Sequence, residues 1–171
     1  ERNLTDSLFI PADAEDPTTV EVAPYDVKDL SASYDGTRLL FSLRPPETEE
    51  NPEPTWDIYE YSRETDEIRR VISSDIVADA GNDTGPVYLP DGRILFSSTR
   101  QRANQAILLD EGKPQYAGLE EGLDVQASVL HVMNSDGSEI QQISFNQSHD
   151  RNATVLKTGE IMYSRWDHFA N

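Results

Sequence analysis

The chain has 171 residues, 36% of them hydrophobic, and a net charge of −18 from 32 acidic and 14 basic side chains. That is enough for one domain with a core, and so acidic a chain is repelled by nucleic-acid phosphates and by anionic lipid. It contains no cysteine, which excludes disulfides, thiolate zinc sites, iron–sulfur clusters and covalent haem attachment within it, and no stretch approaches the roughly 18 apolar residues of a membrane span.

Taken in chain order, one strand pattern recurs. Residues 1–5 read as the closing strand of a repeat, and 6–28 as a bridge to the next. Residues 30–44, LSASYDGTRLLFSLR, read as a hairpin: a strand, a turn at Asp35-Gly36, and a second strand closing on Arg44. Asp-Gly supplies the positive φ that a tight turn needs. After an acidic, proline-rich loop at 45–55, the strand Trp56-Asp57-Ile58-Tyr59-Glu60-Tyr61 turns through 63–66 and returns as Ile68-Arg69-Arg70-Val71-Ile72. Two hairpins in succession make a four-stranded antiparallel unit, here 28–73.

The pattern repeats at 84–144. PVYLPDGRILFSSTR carries the turn Asp91-Gly92 and closes on Arg100, and VLHVMNSDGSEIQQIS carries the turn Asp136-Gly137. The run Ile94-Leu95-Phe96 predicts a strand covered on both faces. Between the two hairpins lies an insertion, 101–128, in which 106–109 fits either a strand or a helical turn and 119–123 a further turn. A third copy begins at 152–171, with ATVLKTGEIMYSR turning at Gly159 and closing on Arg165.

Repeated four-stranded units predict an all-β protein, a β-propeller in which radial stacking buries both faces of each blade. About two full and two partial blades are present. A propeller needs at least four to close, so the expectation is a segment of a longer chain.

The two hairpin halves, with Leu89-Pro90-Asp91-Gly92 and Ser135-Asp136-Gly137 at the turns, resemble the repeat of TolB-type, WD40-like propellers over most of 28–166. More narrowly, the stretches around PVYLPDGRILFSSTR, HVMNSDGSEIQQISFNQSHD and VLKTGEIMYSRWDH are similar to the propeller region of hydrazine synthase α-subunit-like proteins. The resemblance implies a bacterial, periplasmic or extracellular, secreted module that binds a protein partner or another domain of its own chain, with oligomerisation left open. The alternative it implies is the propeller part of a larger redox (multihaem) or hydrolytic enzyme whose catalytic groups lie outside these residues.

No catalytic motif is present; the nucleophile signature Gly-x-Ser-x-Gly does not occur. No cofactor is evident. Three histidines are available for metals: His131 reads as a strand residue, whereas the adjacent pairs His149-Asp150 and Asp167-His168 are candidates to converge at one rim. Calcium is kept as a candidate at Asp75, Asp79, Asn82 and Asp83, and at Asp13, Glu15 and Asp16, although neither group has the ligand spacing of a defined calcium loop. Arg44, Arg100 and Arg165 recur at one repeat position. They either pair with acidic residues of their own or a neighbouring blade, or ring a pocket for an anionic ligand. Trp56 and Trp166 read as blade-packing residues, with an exposed Trp166 favouring a contact surface.

Overall fold

Each Asp-Gly turn folds its flanking apolar segments back into a hairpin, and successive hairpins pair into sheets. The computed structural model describes residues 3–114, 118–120, 122 and 124–166. The first sheet has the order β1-β2-β3-β4, formed by Asp26–Ala32, Arg38–Arg44, Asp57–Ser62 and Glu67–Arg70. The second has the order β5-β6-β7-β8, formed by Asp83–Tyr88, Ile94–Ser98, Val129–Met133 and Gln141–Gln142. A further hairpin pairs β9, Asp150–Val155, with β10, Ile161–Arg165. All pairings are antiparallel, as meandering blades require. The chain is all-β, built of four-stranded antiparallel blades.

The turns show why their residues recur. Asp35 Oδ1 accepts hydrogen bonds from the Thr37 amide (3.0 Å) and the Ser33 hydroxyl (2.6 Å), and Gly36 at φ 69° donates its amide to Ser33 O at 2.9 Å. Asp136 does the same for Ser138, and Asp91 for the Arg93 amide. A carboxylate that accepts local amides organises the turn without tertiary help.

The core lies between the sheets. β6 and β7 are buried along their whole length. On one side Leu40, Ile58 and Val71 of the first blade meet Ile94, Phe96 and Met133 of the second; on the other, Leu95, Leu130 and Val132 meet Ala153 of β9. A carboxyl group is buried in the first interface. Glu60 receives the Tyr88 hydroxyl at 2.6 Å and the Arg69 guanidinium at 2.7 Å, and Arg69 also donates to Ser135 O of the second blade at 2.8 Å. Burial and the bond to Glu60 push the Tyr88 phenol far above its usual pKa.

The structure differs from the sequence reading at the first residues and at the strand starts, and it decides between the two alternatives left open in the insertion. Asn3–Thr5 form a bend rather than a closing strand, because Asn3 Oδ1 accepts from the amides of Thr5 (3.0 Å) and Asp6 (3.3 Å). Such a local turn competes with extended pairing; residues 1 and 2 lie outside the described residues. The insertion opens with a helix, α2 at Arg102–Asp110, so the ambiguous run at 106–109 is helical. The strands that open the units begin at Asp26, Asp83 and Asp150, one or two residues before the sequence boundaries at 28, 84 and 152. A short helix, α1 at Asp75–Ala78, links the two blades.

Candidate interaction site

The three opening strands share a construction. Each begins with an aspartate, and each of the strands paired to them ends at or just before an arginine. In the first blade Asp26 faces Arg44 in register, and Arg44 Nη2 reaches Asp26 Oδ2 at 2.6 Å. In the hairpin Asp150 faces Arg165 and takes two hydrogen bonds from it, both 2.9 Å. In the second blade Arg100 pairs with Asp83 and also donates to Ser98 Oγ (2.9 Å) and Val77 O (3.0 Å). Each of these arginines clasps the second strand back to the start of the first. A planar guanidinium suits such forked contacts.

The burial of the three clasps differs. Arg100 and Asp83 side chains are 2% and 0% exposed, Arg165 and Asp150 42% and 0%, Arg44 and Asp26 40% and 53%. Burial pushes the Asp83 carboxyl upward, against the lowering effect of Arg100. Close by, Asp57 is paired to Arg70 at 3.5 Å and is also buried. Desolvation, with a smaller contribution from Asp83, raises it to about 6.

A second repeated feature lies just inside the clasps. Asp29, Gly85 and Asn152 all have left-handed backbones, at φ 59°, 63° and 55°. Each sits where the register of its opening strand slips against its neighbour, which is the signature of a β-bulge. The bulges bring Lys28, Asp29, Gly85, Arg151 and Asn152 to one cavity of about 350 Å³, walled also by Trp56. Asp29 Oδ2 accepts the Gly85 amide at 3.0 Å and so joins two opening strands. Lys28 Nζ lies 3.9 Å from the Trp56 ring centroid, with the Arg44 guanidinium carbon at 5.7 Å, so cations stack on the half-buried indole. Arg151 donates to Ser128 Oγ at 2.7 Å. In a chain of net charge −18, this cavity presents two cations, Lys28 and Arg151, against one carboxylate, Asp29.

Among the described residues, the metal candidates are engaged with other partners. His149 Nδ1 accepts the Ser128 amide at 3.0 Å, and burial, then Arg151, lowers its pKa. Asp150 is taken up by Arg165. Asp167 and His168 lie outside the described residues. Of the calcium candidates, Asp75 pairs with Arg70, Asn82 Oδ1 accepts the Trp56 amide at 3.0 Å, Asp83 holds Arg100, and Asp16 Oδ1 caps the turn at Pro17–Thr19. Among the described residues no group of three or more His, Cys, Asp or Glu is placed to hold a metal ion. Trp56 stacks with cations, and Trp166 is 56% exposed.

The sequence reading missed Asp26 as a clasp partner, and Lys28, Asp29 and Arg151 as cavity residues. An aspartate 15 to 18 residues before each recurring arginine was the available signal.

Blades of this form, opened by a bulged strand and stacked face to face, define a β-propeller fold. The chain is similar to the structure of a protein assigned as TolB from Agrobacterium tumefaciens, with a TM-score of 0.54 and 17% identity over 86% of this chain and 40% of that one. The fold is therefore TolB-like, and the chain spans well under half the length of that neighbour. The apo AtxE2 isopeptidase aligns at a TM-score of 0.39 and 13% identity over 67% of this chain and 18% of that one, a level from which no shared property is drawn. Neither likeness supports the narrower resemblance to hydrazine synthase α-subunit-like proteins. No protein-family profile and no curated protein matches the chain. Among the described residues no helix is long and apolar enough to cross a membrane.

Proposed function

We propose that this segment is a non-catalytic propeller module that binds a protein partner, or another domain of its own chain, at the cavity where the three bulged strands meet. The observation that carries this reading is one cavity lined by two cations, Lys28, which stacks on Trp56, and Arg151, on an otherwise acidic chain. Cations on an aromatic wall suit a carboxylate side chain presented by a loop or peptide. A backbone pre-shaped by bulges loses little freedom on binding. A bacterial, extracytoplasmic setting goes with this reading on the strength of the TolB-like fold alone.

The test is titration of the chain with a glutamate-rich peptide, followed through Trp56 fluorescence in a Trp166→Phe background. Saturable quenching that weakens with salt, and that Lys28→Glu abolishes, is the expected result. Equal binding by Lys28→Glu would refute the site.

A further inference from the structure

Away from that cavity, a cleft of about 620 Å³ opens between the linker helix α1, the β7–β8 turn and the first turn of α2. Its walls are apolar at Val77, Ala103 and Ile140, and its floor carries His131. His131 is 1% exposed, and its ring stands 5.6 Å from that of Phe96. Nδ1 lies 2.9 Å from Val129 O. A carbonyl can only accept, so Nδ1 carries the proton and Nε2 presents a bare lone pair. Burial keeps the ring neutral, with its pKa lowered to about 4. Nε2 has no hydrogen-bond partner, and a buried acceptor without a donor is costly.

The rim supplies the opposite chemistry. α2 is nine residues long, and its N-cap residue, Gln101, makes no side-chain cap to the first turn. Gln101 turns away in a left-handed conformation and bonds instead to Gly118 and Ala127. The Ala103 amide is served at 3.2 Å by Gln142 Oε1. Arg102, exposed at the same turn, adds a full positive charge to the helix N-terminus. Arg100 adds none to a ligand, since Asp83, Ser98 and Val77 occupy it. Glu139 at the rim disfavours a second anionic group.

We infer that this cleft binds a small hydroxy-carboxylate, its hydroxyl donating to His131 Nε2, its apolar body between Val77 and Ile140, and its carboxylate at Arg102 and the α2 N-terminus. The site is separate from the interaction cavity and does not depend on it.

4-Hydroxyphenylacetate is a suitable probe and phenylacetate its control, with binding followed by the ¹⁵N resonance of His131 Nε2. The hydroxylated acid is expected to shift that resonance saturably and to bind at least about tenfold more tightly than phenylacetate, because only it satisfies the buried nitrogen. Arg102→Glu, at an exposed position, is expected to weaken it roughly fivefold or more. His131→Phe is expected to abolish the preference for the hydroxyl; the comparison of the two acids on the unaltered chain stands even if this variant fails to fold. Equal affinity for the two acids, or no saturable shift at millimolar concentration, overturns the inference.

Discussion

The packing of one blade on the next can be isolated by a pair of glycine substitutions. Gly92 and Gly137 occupy equivalent turns, at φ 89° and 82°, and both donate their amides three residues back, to Leu89 O at 2.9 Å and Asn134 O at 3.0 Å. A Cβ at Gly92 meets nothing within 4 Å. One at Gly137 would overlap Val71 O and come within 2.9 Å of Ile72 Cα, in the backbone of the preceding blade. Gly92→Ala therefore carries only the left-handed backbone cost, about 1–2 kcal/mol. Gly137→Ala carries the same cost plus a steric overlap with backbone that cannot rotate away, about 1–3 kcal/mol more. Urea denaturation followed by circular dichroism measures both, and an unchanged m-value ensures that the denatured state is not the cause. Equal destabilisation of the two variants would refute the tight approach of the β7–β8 turn to the first blade.

The buried clasp should behave unlike the exposed one. Arg100→Met leaves Asp83 buried and unpaired and is expected to cost about 3–5 kcal/mol, whereas Arg44→Met should cost less than about 1 kcal/mol; chemical denaturation compares them, and similar losses would contradict the burial difference. Asp57 titrates at about 6 in the folded chain against 3.8 for the ordinary carboxyl. Between these values the folded protein holds a proton that the unfolded chain has released, so stability falls as pH rises through this window, by at most about 3 kcal/mol. Asp57→Asn should remove that share of the slope in a series of melts from pH 4 to 7, and an unchanged slope would remove Asp57 as its source.

What could be read from the sequence was what local chemistry encodes. Asp35-Gly36, Asp91-Gly92 and Asp136-Gly137 announce turns because their backbone angles and side-chain bonds are settled within five residues. The apolar run at 94–96 announces a strand covered on both sides because nothing polar interrupts it. The recurrence of Arg44, Arg100 and Arg165 was also visible, but their partners were not singled out: 32 acidic residues offer too many choices, and only strand register places Asp26 opposite Arg44. The bulges at Asp29 and Asn152 were invisible for a related reason, since neither is glycine and a register slip belongs to two strands. The helix at Arg102–Asp110 could not be told from a strand in a short apolar run. The lone pair on His131 depends on a hydrogen bond to the carbonyl two residues earlier, and no pattern of residue types records it.

The three clasps use the same two side chains, yet one is dry and another stands in water. What differs is the company each keeps. Arg100 and Asp83 are shielded by α1 and by the first blade, whereas Arg44 and Asp26 are not covered in this way. Covering a clasp raises the attraction between its charges and also strips both of water, and at Asp83 the loss of water is the larger effect. A neighbouring blade therefore makes the clasp harder to break on one side only, since an arginine lost from the dry pair strands a buried carboxyl while one lost from the wet pair strands nothing. Along an array of repeats, the same two side chains thus become indispensable only where a neighbour has closed over them.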